Sequence, residues 1–167
     1  MSNRKKVTPG TSADRKFLRQ AISLADEKSR GGRHGPFGAV VVRAGRVVGR
    51  GWNRVVAQAD PTAHAEIVAI RAASRRLRTH VLTGCTLYTS CEPCPMCLAA
   101  IYWARIERVV FAATRHDAAA AHFDDARIYR EEARPTGRRE IPFQQLLGPA
   151  GTRVLRRWLA NPKRMAY

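Results

Sequence analysis

Residues 84–113, GCTLYTSCEPCPMCLAAIYWARIERVVFAA, constrain the fold more than any other stretch. GCTLYTS (84–90) reads as a buried strand, PCPMCLAAIYWAR as a helix opened by proline, and RVVFAA (108–113) as another strand. Strand, helix and strand in succession imply a parallel section of sheet with helices packed on its faces. Three cysteines, Cys91, Cys94 and Cys97, crowd the turn between the first strand and the helix.

The flanking elements fit the same architecture. Phe17, Ala21 and Leu24 recur at i, i+4 and i+7, with Leu18, Ile22 and Ala25 beside them. That spacing predicts an amphipathic helix over 12–29 with Ser12 as its N-cap. After the loop GGRHGPFG, the runs AVVVR and RVVGRGW flank Ala44-Gly45 and predict a hairpin. DPTAHAEIVAIRAASRRL reads as a helix capped by Asp60, with Pro61 at its first position. Residues 115–135 are alanine-rich and helical around a His-Phe-Asp-Asp turn, IPFQQLL suggests an edge strand, and 152–160 form a last helix before Pro162. The expected fold class is α/β: a three-layer sandwich, with a mixed sheet of about five strands and helices on both faces.

At 167 residues and 45% hydrophobic, the chain suits one domain, expected over residues 13–167. The basic stretch MSNRKKVTPGTS (1–12) reads as a disordered arm and lacks the apolar segment of a secretory signal. No apolar run approaches a membrane span. Four cysteines without an export signal point to a reducing compartment, the cytoplasm by default, where clustered thiols bind metal more often than they pair. With 30 Lys and Arg against 13 Asp and Glu, the net charge of +17 keeps nucleic acid among the partners. The arginines are scattered instead of striped, so solvated basic faces are favoured over a dedicated nucleic-acid surface.

His64, in TAHAEIVAI, adds a fourth zinc-type ligand to the three thiols. Either all four close a structural site, or His64, Cys94 and Cys97 bind and leave an open position for water. Cys94 and Cys97 share one face of a helix's first turn, whereas Cys91 ends the preceding strand beyond Pro93. Glu92 suits the positive end of the helix dipole, which also favours the thiolates a metal needs. Glu66, two residues after His64, decides between the two. Neighbours at i+2 point about 200° apart on a regular helix, so only a site beyond the helix N-terminus reaches both. A metal there would have His64 as ligand and Glu66 facing its water as general base. A structural site has no use for Glu66. The pairing of HAE with PCxxC matches the H-x-E…P-C-x-x-C pattern of zinc deaminases.

On HGPFGAVVV, DPTAHAEIVAIR, LYTSCEPCPMCLAAIYWAR, HFDDARIY and the terminal Tyr167, the chain resembles the cytidine-deaminase-like superfamily, and within it the small bacterial guanine deaminases. The resemblance covers nearly everything after the first twelve residues. It implies hydrolysis of guanine to xanthine and ammonia, with one Zn²⁺ per chain held by His64, Cys94 and Cys97 and with Glu66 moving protons. Position by position, it implies that Phe37 and Trp103 sandwich the purine and that Asn53 bonds its polar edge. Asp125 then accepts from guanine's N–H groups or shuttles a proton to the departing ammonia, and Tyr167 closes the site. A homodimer, with a C-terminal segment that can cross to the partner, follows from the same resemblance. Without it, Phe37 and Trp103 also fit as core aromatics, Asp124 and Asp125 as a helix cap, and Cys85 as a small buried hydrophobe. A tRNA adenosine deaminase or a related purine or triazine aminohydrolase would need the same metal and Glu66. A basic, zinc-stabilised nucleic-acid-binding module without catalysis would need neither Glu66 nor an open metal position.

Overall fold

The computed structural model describes residues 10–123 and 125–165. They divide into two compact units at Ile128/Tyr129. Most of the expected basic arm, residues 1–9, lies outside the described residues, as do Asp124 and Tyr167.

The first unit opens with α1 (Ser12–Ser29), capped by Thr11, one residue before the expected cap. Thr11 and Asp14 form a reciprocal capping box: the Thr11 hydroxyl accepts from the Asp14 N–H, and the Asp14 carboxylate accepts from the Thr11 N–H. The hairpin of β1 (Gly38–Arg43) and β2 (Arg46–Trp52) forms around Ala44-Gly45 as expected. Both turn residues have positive φ, 46° and 73°, which matches the twist of the flanking strands. A short α2 (Val55–Gln58) precedes α3 (Ala65–Leu77). Here the structure corrects the expected helix start. Asp60 spends its carboxylate on the Thr62 N–H and hydroxyl, at 2.8 and 2.7 Å, closing a local turn. The helix therefore begins four residues beyond Pro61, with His64 as its N-cap.

Still in the first unit, β3 (Cys85–Cys91), α4 (Pro95–Trp103) and β4 (Arg108–Ala113) follow. Strand order is β2-β1-β3-β4, with β1 antiparallel to both neighbours and β3 parallel to β4. Among the described residues the mixed sheet has four strands where about five were expected. IPFQQLL forms no strand, and Ile141, Phe143, Leu146 and Leu147 are exposed. Its apolar residues do not alternate, and Pro142 removes a ladder donor.

Strand alternation builds a core on each face of the sheet. Val40, Val42 and Tyr88 pack with Phe17 of α1, while Ala39, Val41, Cys85 and Leu87 pack with Ala65, Ala69 and Ala73 of α3 and Ile101 of α4. Glycines let α3 lie unusually close to β2: a Cβ at Gly49 would stand 2.3 Å from the Ala69 carbonyl oxygen, and one at Gly51 2.1 Å from that of Ala65. On the α1 side, Asp14 accepts two bonds from the Arg108 guanidinium, at 2.7 and 2.8 Å, and one from the Tyr88 hydroxyl at 2.7 Å.

Next comes α5 (Arg115–Ala120), held by a Thr114–Asp117 capping box. Then α6 (Ala126–Glu132) runs across the division between the units. In the second unit, Glu131 pairs with Arg134 and accepts the Glu140 N–H. A 3₁₀ turn (Thr136–Arg138) and α7 (Gly148–Ala160) follow; α7 starts four residues before the expected 152. Its Val154, Leu155, Trp158 and Leu159 are all exposed. No helix among the described residues is long and apolar enough to cross a membrane.

Candidate active site

Two helix N-termini meet at the centre of the site. His64 caps α3 and Cys94 caps α4, both in extended backbone, with Pro95 opening α4 and Cys97 one turn inside it. The His64 Nδ1 lies 3.6 Å from the Cys94 Sγ and 3.7 Å from the Cys97 Sγ. One donor atom from each of the three residues falls within 4.8 Å of the others. Two sulfurs and an imidazole nitrogen at that spacing fit a tetrahedral zinc with its fourth position left over.

The electrostatics agree with that fit. The Cys97 thiol and the His64 ring both hydrogen-bond Cys94 and hold its thiol well below the ordinary range, against the opposing effect of burial. Cys97 shifts the other way, because it keeps the proton it shares with Cys94. His64 is raised, chiefly by its contact with Cys94.

Cys91 stands apart from this group. It ends β3, donates to the Thr114 carbonyl at 3.5 Å, and is pushed up to about 11 by burial and then by the Glu66 charge. It lines the cavity without joining the triad.

Glu66 is two residues into α3 and only 6% exposed. Because His64 caps the helix from outside, the two can face one site despite their i, i+2 spacing. The Thr89 hydroxyl donates to the Glu66 Oε1 at 3.3 Å, and the Cys97 thiol contacts Oε2 at 3.6 Å. Desolvation raises its pKa, and the neighbouring Cys94 adds to the shift.

A cavity of about 430 Å³ joins these groups to most of the expected pocket: Phe37, Asn53, Glu66 and Asp125 line it, with His64 and Cys94. Asn53 is buried, and its Oδ1 accepts the Gly35 and Val55 N–H groups at 3.4 and 3.2 Å. Its amide NH₂ is left to donate. Phe37 meets Phe123 edge-on, with ring centroids 4.8 Å apart. Phe123 also lines the cavity, and sequence reasoning missed it although it sits inside the HFDD motif. Trp103 is not brought to this cavity. It ends α4, 63% exposed, beside exposed Leu98 and Tyr102. Tyr167 lies outside the described residues.

Residues 11–113 match the cytidine and deoxycytidylate deaminase zinc-binding region. The chain belongs to that family. In this deaminase, His64, Cys94 and Cys97 are the zinc-binding triad. Over 130 residues it is 53% identical to the guanine deaminase of Bacillus subtilis (strain 168), covering 78% of this chain and 83% of the relative. The crystal structure of a guanine deaminase from Bacillus subtilis superposes with a TM-score of 0.89 at 46% identity, covering 92% of this chain and 98% of the other. A tRNA-specific adenosine deaminase from Haemophilus influenzae is 43% identical over 117 residues, 67% of each chain.

Proposed function

We propose that this deaminase hydrolyses the C2 amine of guanine, giving xanthine and ammonia. The observation that carries the reading is one cavity in which His64 and Cys94 of the metal triad, a buried carboxylate, a second carboxylate, an amide and two phenyl rings converge. Its volume is that of a small-molecule site, and the similarity to guanine deaminases supports the choice of base.

His64, Cys94 and Cys97 would hold the zinc, which would supply the Lewis acidity that makes a water nucleophilic near neutral pH. Glu66 accepts one proton of the attacking water and passes it to a ring nitrogen. It then takes the remaining proton of the added hydroxyl and delivers it to the amine, so that the C2–N bond breaks as the carbonyl forms. Burial and the resulting upward pKa shift suit a group that must both take and return protons. Asn53, with its oxygen already occupied, donates from its NH₂ to the guanine carbonyl. Asp125 accepts from the base's N–H groups or relays a proton to the departing ammonia. Phe37 stacks on the purine. Trp103 and Tyr167 complete the pocket across a homodimer interface, with a swapped C-terminal segment as one route. The exposed apolar side chains of α4 and of α7 support such an interface. The four free cysteines support a cytoplasmic location.

A second reading, tRNA adenosine deamination, draws on the net charge of +17 and the Haemophilus relative. Ammonia release from guanine, guanosine, adenine and cytidine, with Glu66→Gln as control, separates the two. Release from guanine alone is expected. Silence on all four with zinc bound overturns the guanine reading and moves the test to tRNA.

A further inference from the structure

Thr89 is the polar exception on an apolar strand face. Along β3, Cys85, Leu87, Thr89 and Cys91 alternate onto the side of the sheet that carries α3. Cys85 and Leu87 pack into the core cluster beneath that helix. Thr89 is 1% exposed, so its hydroxyl is cut off from water and depends on a protein partner. That partner is Glu66 Oε1, at 3.3 Å.

The donor is also held in place. Thr89 pairs with Ala39 of β1 on one side and Phe111 of β4 on the other, in the interior of the sheet. A β-branched side chain on such a backbone has few rotamers. Of the two side chains that hydrogen-bond the Glu66 carboxylate among the described residues, Cys97 belongs to the metal triad, and Thr89 serves the carboxylate alone. Valine would fill the same volume without a polar atom to bury, so stability alone does not call for threonine here.

We propose that Thr89 is a positioning residue for the proton-transfer carboxylate. Its hydroxyl ties Oε1 to the rigid sheet, so that Oε2, on the side of Cys97 and the metal triad, is the oxygen that exchanges protons with substrate. This rests on the reading of Glu66 as the proton shuttle, and the test keeps the two separable. Thr89→Val removes the donor at nearly constant shape, and Thr89→Ser keeps it.

In the zinc-loaded full chain, Thr89→Val is expected to lower kcat about tenfold, the worth of one hydrogen bond, with KM nearly unchanged. Thr89→Ser should recover most of that loss. Zinc stoichiometry and melting temperature should stay at wild-type values in both. In the infrared, the carboxyl band that disappears in Glu66→Gln should shift in Thr89→Val and not in Thr89→Ser. An unchanged kcat in Thr89→Val, an equal loss in Thr89→Ser, a rise in KM alone, an unmoved band or loss of zinc would each overturn the proposal. Failure of the guanine reading would show instead as an inert wild type, and the same pair would then be compared on the substrate that is turned over.

Discussion

The two faces of the sheet each bury a carboxylate, and the two are treated in opposite ways. On the α1 face, Asp14 is 3% exposed and receives bonds from the Arg108 guanidinium, the Tyr88 hydroxyl and Thr11. Those partners outweigh burial and hold its pKa far below the usual carboxylate range. On the α3 face, Glu66 has one hydroxyl and one thiol as side-chain hydrogen-bond partners among the described residues, and its pKa is raised because burial outweighs the opposing pull of His64. A charge given its full set of partners locks elements together. A charge left short of partners stays ready to gain and lose a proton.

The largest test of this contrast is on rate. Glu66→Gln should lower deamination by about 10²–10⁴-fold or more with zinc retained, whereas Asp14→Asn, assayed on folded protein, should stay near wild type. Comparable rate losses in both would break the comparison. Metal content sharpens it next. Cys94→Ser should lose zinc on dialysis while Cys91→Ser keeps it, measured by elemental analysis. Equal loss would return Cys91 to the site.

Stability should separate the carboxylates by sign. Asp14→Asn is expected to cost on the order of 2–3 kcal/mol in denaturant unfolding. That is less than a fully buried pair would lose, because Arg108 keeps 40% of its side-chain surface and can rehydrate. A depressed folded-state pKa means the stabilisation is present above the unfolded value, about 3.9, and is lost as pH falls below it. Wild type should therefore lose stability below about pH 4, and Asp14→Asn should lose less over that window. Glu66 runs the other way. Its raised pKa makes the ionised group a cost above the unfolded value. In metal-free protein at neutral pH, Glu66→Gln should melt about 2–4 °C higher. A lower melting temperature would mean that Glu66 holds the fold as well as the reaction.

The elements legible in the sequence were those with local causes. The hairpin announced itself through Ala44-Gly45, and the Cys94/Cys97 pair through a proline that opens a helix at its first residue. The helix start at His64 was hidden because an aspartate before a proline looks like a cap, and only the Thr62 contacts reveal a local turn. Asp14 and Thr89 were illegible for a different reason. Their partners lie 94 and 23 residues away, and no spacing rule links them. At most, a threonine in phase with Cys85 and Leu87 could have flagged a buried polar group. Phe37 and Asn53 line the cavity, whereas the exposure of Trp103 depends on how α4 ends against solvent.

Gly51 has a bearing on the chemistry although it lies outside the cavity. The carbonyl it accommodates belongs to Ala65, the residue between His64 and Glu66. His64 and Glu66 therefore ride on β2 through the close approaches at Gly49 and Gly51, while Cys94 and Cys97 follow β3 on α4. The alignment of the two halves depends on the absence of side chains at Gly49 and Gly51. A side chain at 51 would slide His64 and Glu66 together against the cysteines, detuning the reaction as a misaligned mount detunes an optical bench.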